Sequence, residues 1–238
     1  MSERLAIVTG TSSGIGAAVA RQLLERRWQV IGIARREAVF GDGYRHLALD
    51  LAEAESAARA IERECGARLA ERAWERVALV NNAAVAIPGR IENVDAVELA
   101  RALTVNIAMP LWLMGFVLKR RPRGAEVRVL NVSSGAAHRG VPGLAAYCAS
   151  KAALRIAGMA VAAEVEEALA IYAYEPGVVD TDMQREAREQ KPEEFPSVAL
   201  FRQYHAEGRL AAPDLPAADI VKFLESERAE RFTEGRRS

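Results

Sequence analysis

The sequence predicts an α/β protein built on a doubly wound parallel sheet with helices on both faces. Short apolar, strand-like runs alternate with helical segments along most of the 238 residues, as expected for strands that are buried on both faces. No linker or internal repeat divides the chain, so we expect a single domain that covers residues 1–238.

The first half of the chain contains four of the strand-like runs, each followed by a turn or a helical segment. Strands are expected at residues 5–8, 29–34, 45–50 and 76–82, and helices at 15–27 and 54–74. Ile15, Val19 and Leu23 fall on one stripe of the first helix, which is the pattern of a helix packed against a sheet.

The second half continues the alternation as far as a proline–glycine pair. Helices are expected at residues 95–120 and 145–168, and strands at 126–134 and 169–177. The segment 178–216 then departs from this rhythm, since it is charged and contains a helical patch near 198–208. Ligands of doubly wound sheets bind beyond the carboxyl ends of the strands. We therefore expect 178–216 to be a substrate lid, with a plain surface insertion as the alternative.

Composition excludes several classes of protein. Basic and acidic residues both number 32, so no net charge indicates a nucleic acid or membrane partner. The two cysteines form neither a disulfide framework nor a metal site by themselves. No signal peptide or apolar run of transmembrane length is evident, and 107–120 is interpreted as a buried core helix. We expect a cytoplasmic protein without a metal.

A glycine-rich stretch, VTGTSSGIG at residues 8–16, joins the first strand to the first helix. Gly10, Gly14 and Gly16 allow a tight turn and a close approach of a pyrophosphate, which the helix N-terminus attracts. The stretch therefore predicts a dinucleotide site. The alternative is a tight turn without a ligand.

The end of the second strand indicates which dinucleotide is bound. Arg35 and Arg36 follow the strand, and two guanidiniums suit the 2′-phosphate of NADP. A solvated surface pair is the alternative. Asp50, at the end of the third strand, is placed to accept a bond from the adenine amino group, or to cap the next helix, or both.

Five motifs in order resemble those of the short-chain dehydrogenase/reductase family. They are TGTSSGIG, NNAA at 81–84, Asn106, the Ser134…Tyr147…Lys151 spacing, and PGVVDTDM at 176–183. The resemblance covers almost the whole chain and implies a Rossmann-type sheet. Arg35, Arg36 and the stretch 200–220 are most similar to the sepiapterin reductase and benzil reductase group.

The resemblance also implies a set of cofactor contacts. Asn82 and Ala83 would line the adenine–ribose side, and the residues after the proline–glycine pair would wrap the nicotinamide. The implied NADP(H)-binding residues are Gly10, Ser12, Ser13, Gly14, Ile15, Gly16, Arg35, Arg36, Asp50, Leu51, Asn82, Ala83, Tyr147, Lys151, Pro176, Gly177, Val179 and Thr181.

Ser134, Tyr147 and Lys151 match the family's active-site trio, and Asn106 matches its helix asparagine, which supports a water in the proton path. Free tyrosine, with a pKa of ~10, is a poor acid/base at neutral pH. Lys151 lies one helical turn from Tyr147, where an ammonium would lower that pKa. Ser134 would donate a hydrogen bond to the oxyanion.

These residues predict an NADPH-dependent carbonyl reductase, with Tyr147 as proton donor and a small-molecule carbonyl substrate. The substrate would be a vicinal diketone such as benzil, or a pterin side-chain ketone. The alternatives are an NAD-dependent alcohol or sugar dehydrogenase and a non-catalytic NADP-binding sensor. The family pairs subunits through helices at 106–120 and 147–165, so a homodimer is expected, or a tetramer. The family's last strand is reduced here to Phe232 and Thr233 in a short charged terminus.

Overall fold

One parallel sheet organises the molecule, which is described by a computed structural model covering residues 3–165, 168–227 and 229–237. Its strands are β1 Arg4–Thr9, β2 Gln29–Ala34, β3 Tyr44–Ala48, β4 Arg76–Asn81, β5 Glu126–Val132, β6 Leu169–Glu175 and β7 Phe232–Arg236. The strand order is β3-β2-β1-β4-β5-β6-β7, and every neighbouring pair is parallel. The order reverses between β1 and β4, so the doubly wound sheet is confirmed.

Helices cover both faces of the sheet. They are α1 Gly14–Glu25, α2 Ala54–Ala70, α3 Ala96–Leu103, α4 Met109–Arg120, α5 Ala145–Glu164, α6 Asp182–Glu189, α7 Val198–Ala206 and α8 Asp214–Glu225. The core on one face is built by α1 and α8, and the core on the other by α2, α4 and α5. Burial on both faces explains why the central strands are continuous apolar runs.

The predicted helix at 95–120 is a continuous helical run that contains one irregular turn. Thr104–Ala108 is a π-helical turn between α3 and α4, and Pro110, which has no N–H to donate, follows it in the first turn of α4. The 25 residues Ala96–Arg120 are long and apolar enough to cross a membrane, contrary to the expectation from the sequence. Half of the apolar window is buried, and α4 packs in the core, as in a core helix.

The last strand is complete, which corrects the interpretation of Phe232 and Thr233 as its remnant. β7 pairs with β6 over five residues, from Ile171 with Phe232 to Glu175 with Arg236. A side chain at Gly235 would collide with the Tyr172 hydroxyl. The glycine therefore lets this charged segment lie against the sheet.

The segment after β6 leaves the sheet and returns to almost the same point. It carries α6 and α7, and its two ends meet in an isolated parallel bridge between Val179 and Ala211. Ala211 donates its N–H to the Val178 carbonyl, and Asp180 donates to the Ala211 carbonyl, both at 2.9 Å. The predicted lid is thus a loop whose two ends are hydrogen-bonded to each other, and α8 follows this bridge.

Several element ends differ from the predictions. The first helix ends at Glu25, because Arg27 adopts a left-handed φ of 61°. The third strand ends at Ala48 rather than at residue 50, and the strands expected to 134 and 177 end at Val132 and Glu175. The helix predicted to reach residue 168 ends at Glu164, and residues 166 and 167 lie outside the described part of the chain.

Candidate active site

The glycine loop after β1 is held tightly against the end of β4. Gly10 has φ +75°, and a side chain at Gly16 would collide with the Gly10 carbonyl oxygen and the Asn82 amide. Asn82 Nδ2 donates to the Thr9 carbonyl at 2.9 Å. Thr9 Oγ1 in turn accepts the N–H groups of Asn82 and Ala83, each at 3.0 Å. Asn82 and Ala83 therefore hold the start of the glycine loop against the end of β4.

The N-terminus of α1 fits an anionic group. Ser13 is the N-cap residue, yet its side chain makes no capping hydrogen bond, and the first turn contains no acidic residue. The first N–H groups of a helix need partners from outside the helix, and its dipole favours negative charge there. Ser13, Gly14, Ile15 and Gly16 thus present an open set of donors that suits a cofactor pyrophosphate.

The segment after β6 passes beside this loop. Gly177 has φ +76°, a left-handed conformation that favours glycine. Pro176 and Val179 are buried. Thr181 caps α6 through its Oγ1, and its Cγ2 lies 3.2 Å from the position of a side chain built at Gly14. The two segments expected to hold the dinucleotide are therefore in contact.

The two arginines after β2 differ in their surroundings. Arg36 Nη2 lies 3.2 Å from Ser13 Oγ and 3.2 Å from Asp182 Oδ2, at the edge of the glycine loop. Arg35 is exposed, and within the described residues it forms no ion pair. Ser12, on the same loop, is half-buried. Asp182 was not singled out from the sequence, although it lies in the PGVVDTDM motif.

Asp50 lies beyond the end of β3 and makes two contacts. Its Oδ1 accepts the Ala52 N–H at 2.9 Å, and its Oδ2 pairs with Arg101 at 2.8 Å. The helix-cap alternative is wrong, because α2 begins at Ala54 with Glu53 as its N-cap residue. Leu51 beside it is buried. Arg101, which also bonds Glu53, was missed because only the fold brings α3 to this edge.

Ser134, Tyr147 and Lys151 come together at the carboxyl end of β5. Ser134 follows this strand, and its hydroxyl lies near enough to Tyr147 to act on the pKa of the phenol. Lys151 Nζ lies 5.4 Å from the centre of the Tyr147 ring and donates to the Val132 carbonyl at 2.7 Å. The one-turn spacing on α5 produces this geometry. A phenol, a hydroxyl and an ammonium therefore converge where a carbonyl oxygen could be protonated.

Burial controls the protonation of this site. It raises the pKa of Tyr147 to about 12, although the nearby Ser134 hydroxyl acts in the opposite direction. It also lowers the pKa of Lys151 to about 8. Burial therefore has the largest effect on the tyrosine pKa, and the expected lowering by Lys151 stays a prediction. The cost of removing charge from water also dominates for Lys151, since it donates to the neutral Val132 carbonyl.

Asn106 lies in the π-helical turn and braces the chain after β4. Its Oδ1 accepts the Val85 N–H at 2.8 Å, and its Nδ2 donates to the Val85 carbonyl at 2.8 Å and to Ser150 Oγ at 3.1 Å. Both halves of its amide are engaged. The side chain thus ties α5, through Ser150, to the segment that follows Asn82 and Ala83.

Residues of the predicted lid take part in an apolar cluster beside Tyr147. Leu144, Ala187, Phe195 and Val198 form this cluster, and Tyr147 and Cys148 pack against it. Gly143, with φ +81°, touches the Phe195 ring, since a side chain there would lie 2.6 Å from Phe195 Cδ2. This lid cluster gives Tyr147 and Cys148 an apolar surrounding.

The histidines are placed as loop and surface residues. His138 Nε2 lies 2.8 Å from Glu175 Oε1, close to Ser134, whereas His205 lies in the last turn of α7. Over the described ranges, no group of three or more His, Cys, Asp or Glu side chains could hold a metal ion.

Comparisons with known proteins agree with this geometry. A family model described as short chain dehydrogenase matches residues 4–192. A Bacillus cereus benzil reductase ((S)-benzoin forming) is 32% identical over 237 residues, covering 94% of this chain and 95% of the relative. An Arabidopsis thaliana NADPH-dependent pterin aldehyde reductase is 30% identical, covering 77% and 78%. A crystal structure from Burkholderia vietnamiensis, a short-chain dehydrogenase/reductase, has a TM-score of 0.70 at 32% identity, covering 80% and 93%.

Proposed function

Because this chain belongs to the short-chain dehydrogenase/reductase family and is an oxidoreductase, we propose that it is an NADPH-dependent carbonyl reductase. The observation that carries the proposal is the convergence of Ser134, Tyr147 and Lys151 at the carboxyl end of β5. Lys151 Nζ lies 5.4 Å from the centre of the Tyr147 ring and donates to the Val132 carbonyl at 2.7 Å, so that a phenol and an ammonium meet where a ketone oxygen would be protonated.

Each of the three active-site side chains has its own role in protonation of the carbonyl oxygen. Tyr147 gives its proton to the oxygen as negative charge develops there. Ser134, beside Tyr147, donates a hydrogen bond to the same oxygen. Lys151, with its ammonium over the tyrosine ring, stabilises the phenolate that remains. When bound, the nicotinamide cofactor supplies the hydride.

The cofactor site supports a dinucleotide, and its arginines favour NADPH. The pyrophosphate would meet the open N-terminus of α1, where Ser13 leaves the N–H groups uncapped. Arg35 and Arg36 would hold the 2′-phosphate. Asp50 would accept from the adenine amino group, while Gly177 and Thr181 would wrap the nicotinamide. The NADPH dependence named for the Arabidopsis thaliana relative supports this preference.

The substrate proposed is a ketone with apolar groups beside the carbonyl. The lid cluster around Tyr147 is apolar, which suits aryl or alkyl groups. The benzil reductase named among the relatives supports a vicinal diketone such as benzil. The pterin aldehyde reductase supports, as the second candidate, a ketone on a pterin side chain.

The partner and the location are proposed on separate grounds. Leu111 on α4, with Ile156 and Met159 on α5, are large apolar side chains that remain 39%, 56% and 41% exposed. They lie on the two helices that pair in this family, so we propose a homodimer across this face, with a tetramer as the larger alternative. Both cysteines are free, which suits a cytoplasmic location.

A ketone panel with NADPH and NADH tests the function by the absorbance of the reduced nicotinamide. We expect turnover of a vicinal diketone with NADPH, and weaker use of NADH. Tyr147→Phe should bind NADPH and lose all turnover. Tight NADPH binding by wild type without reduction of any ketone would instead support a nucleotide-binding sensor. Equal affinity for the two cofactors would favour an NAD-dependent dehydrogenase.

A further inference from the structure

Gln184 on α6 is a buried amide with an unpaired donor. Its side chain is only 6% exposed, and its Oε1 accepts a hydrogen bond from Arg188 at 2.7 Å. A guanidinium can only donate, so this bond fixes which amide atom is oxygen. The nitrogen Nε2 then points elsewhere, and in the described part of the chain it has no hydrogen-bond partner.

Such a donor requires an explanation. Buried polar groups in native proteins nearly always have partners, because an unmade hydrogen bond away from water costs free energy. A Leu at position 184 would fill similar space without that cost. The amide is therefore understandable if a ligand, rather than the protein, provides the acceptor.

The position of Gln184 on α6 indicates which ligand that is. Gln184 and Ala187 are the buried residues of α6, and residues three apart share a helix face. Ala187 belongs to the lid cluster against which Tyr147 packs. The buried face of α6 thus lies on the side of the lid cluster, which packs against Tyr147.

The opposite face of α6 is turned toward the glycine loop, where the cofactor phosphates are proposed to bind. Asp182 precedes Gln184 by two residues, about 200° of rotation around the helix, and it pairs with Arg36 beside the glycine loop. Gln184 therefore faces away from the part of the site that would hold the cofactor phosphates.

We propose that Gln184 Nε2 donates a hydrogen bond to a second oxygen of the substrate, one that neighbours the carbonyl being reduced. The substrate class is then a vicinal dicarbonyl compound. Tyr147 and Ser134 serve the oxygen that is protonated, Gln184 serves the other, and the lid cluster contacts the apolar groups. This inference rests on the proposed reductase function and names its substrate class.

The test compares two ketones that differ only in the second oxygen. Benzil has two adjacent carbonyl groups, and deoxybenzoin has the same two rings and one carbonyl. Values of kcat/KM with NADPH are measured for wild type, Gln184→Leu and the control Gln203→Leu. Gln203 is an exposed amide on α7, bonded to Glu207. The variant-to-wild-type ratio for each ketone removes their difference in intrinsic reactivity.

We expect Gln184→Leu to lower kcat/KM for benzil at least about tenfold. The reason is that a site built to hydrogen-bond a substrate group loses much of its kcat/KM when that bond cannot form. The value for deoxybenzoin should stay within about twofold, and Gln203→Leu should change neither. The melting temperature of Gln184→Leu should be unchanged or higher, since an unpaired buried donor is removed.

Two other results would overturn the assignment. An equal loss on both ketones would mean that Gln184 only supports the lid, and a matching loss of NADPH affinity would assign the amide to the cofactor. In either case the reductase function stands. If wild type binds NADPH and reduces neither ketone, the proposed function fails together with its substrate class.

Discussion

Arg36 and Asp182 form an ion pair across the edge of the glycine loop, with 3.2 Å between Nη2 and Oδ2. The hydrogen bond from Arg36 is the main reason why the pKa of the Asp182 carboxyl lies below its usual value. A carboxylate at the start of α6 thus engages a guanidinium that we assign to the 2′-phosphate of NADPH. In the proposed NADPH complex, Asp182 and that phosphate would compete for Arg36.

Asp182→Asn should therefore bind NADPH more tightly than wild type. An exposed ion pair contributes up to ~1 kcal/mol, so we expect the Kd for NADPH to fall by at most roughly fivefold. The Kd for NADH, which has no 2′-phosphate, should stay the same. Nucleotide titrations followed by fluorescence measure both. Asp180→Asn is the control, since Asp180 is an exposed carboxylate of the same segment with no ion pair among the described residues. An unchanged Kd for NADPH in Asp182→Asn would show that the pair does not compete.

Lys151→Met should be more stable than the wild-type protein at pH 7, and this advantage should shrink as the pH rises. Burial lowers the lysine pKa from 10.5 to about 8. Below pH 8 the native and unfolded chains both carry the charge, so the native state bears the full cost of burying it. Between pH 8 and 10.5 only the unfolded chain keeps the proton, and rising pH stabilises the wild-type fold.

Chemical unfolding of both proteins at several pH values between about 7 and about 9.5 measures how the difference in their unfolding free energies changes. That change amounts to about 3 kcal/mol over the whole range between the native and unfolded lysine pKa values. Measurements stop there because Tyr147 acts in the opposite direction. Its native pKa of about 12 exceeds the unfolded value of 10.0, so its contribution to stability is lost as the pH rises from 10 to 12. A difference in unfolding free energy between the two proteins that does not vary with pH would mean that Lys151 is not a buried charge.

Gly143→Ala should loosen the lid. The substitution places a side chain in a left-handed conformation, which costs ~1–2 kcal/mol, and 2.6 Å from the Phe195 ring. We expect faster tryptic cleavage near Lys191 and a higher KM for the ketone. Gly140→Ala is the matched control, since it lies in the same loop with open space and without a positive φ. Equal cleavage rates for the two variants would contradict a lid anchored at Gly143.

Ile156→Glu should convert the proposed dimer to a monomer. The substitution puts a charge in the middle of the exposed apolar side chains on α4 and α5, and a buried unpaired charge is strongly unfavourable in an interface. Val39→Glu changes a side chain that is 79% exposed on the loop between β2 and β3, and it should leave the mass unchanged. Light scattering after size-exclusion chromatography reports both masses, and a monomeric wild-type protein would remove this interface.

Local sequence patterns predicted the parts of the molecule that depend on short-range chemistry. The apolar runs identified the strands, and the one-turn spacing of Tyr147 and Lys151 predicted that their side chains meet. The protonation of Tyr147 could not be obtained in this way, because its pKa depends on burial beneath lid residues far along the chain.

The last strand shows the same limit. FTEGR is charged and contains a glycine, so it has little strand character by itself. It forms β7 because Gly235 leaves room for the hydroxyl of Tyr172, a residue on a neighbouring strand. Likewise, Gln184 was not noticed because a glutamine on a charged helix looks solvent-facing until the fold buries it.

Because the bridge between Val179 and Ala211 holds the two ends of the lid together, the lid can be replaced as one segment. The chain enters and leaves it at one pair of hydrogen-bonded residues, while the sheet and the Tyr147 helix lie outside. Loops whose ends are close together tolerate replacement, since closing them costs little more when their length changes. A lid of different length and side chains, grafted between Asp182 and Ala211, would give a new pocket while the sheet, the Tyr147 helix and Thr181 stay unchanged. This makes the molecule a suitable scaffold in which the pocket beside Tyr147 can be redesigned for chosen substrates.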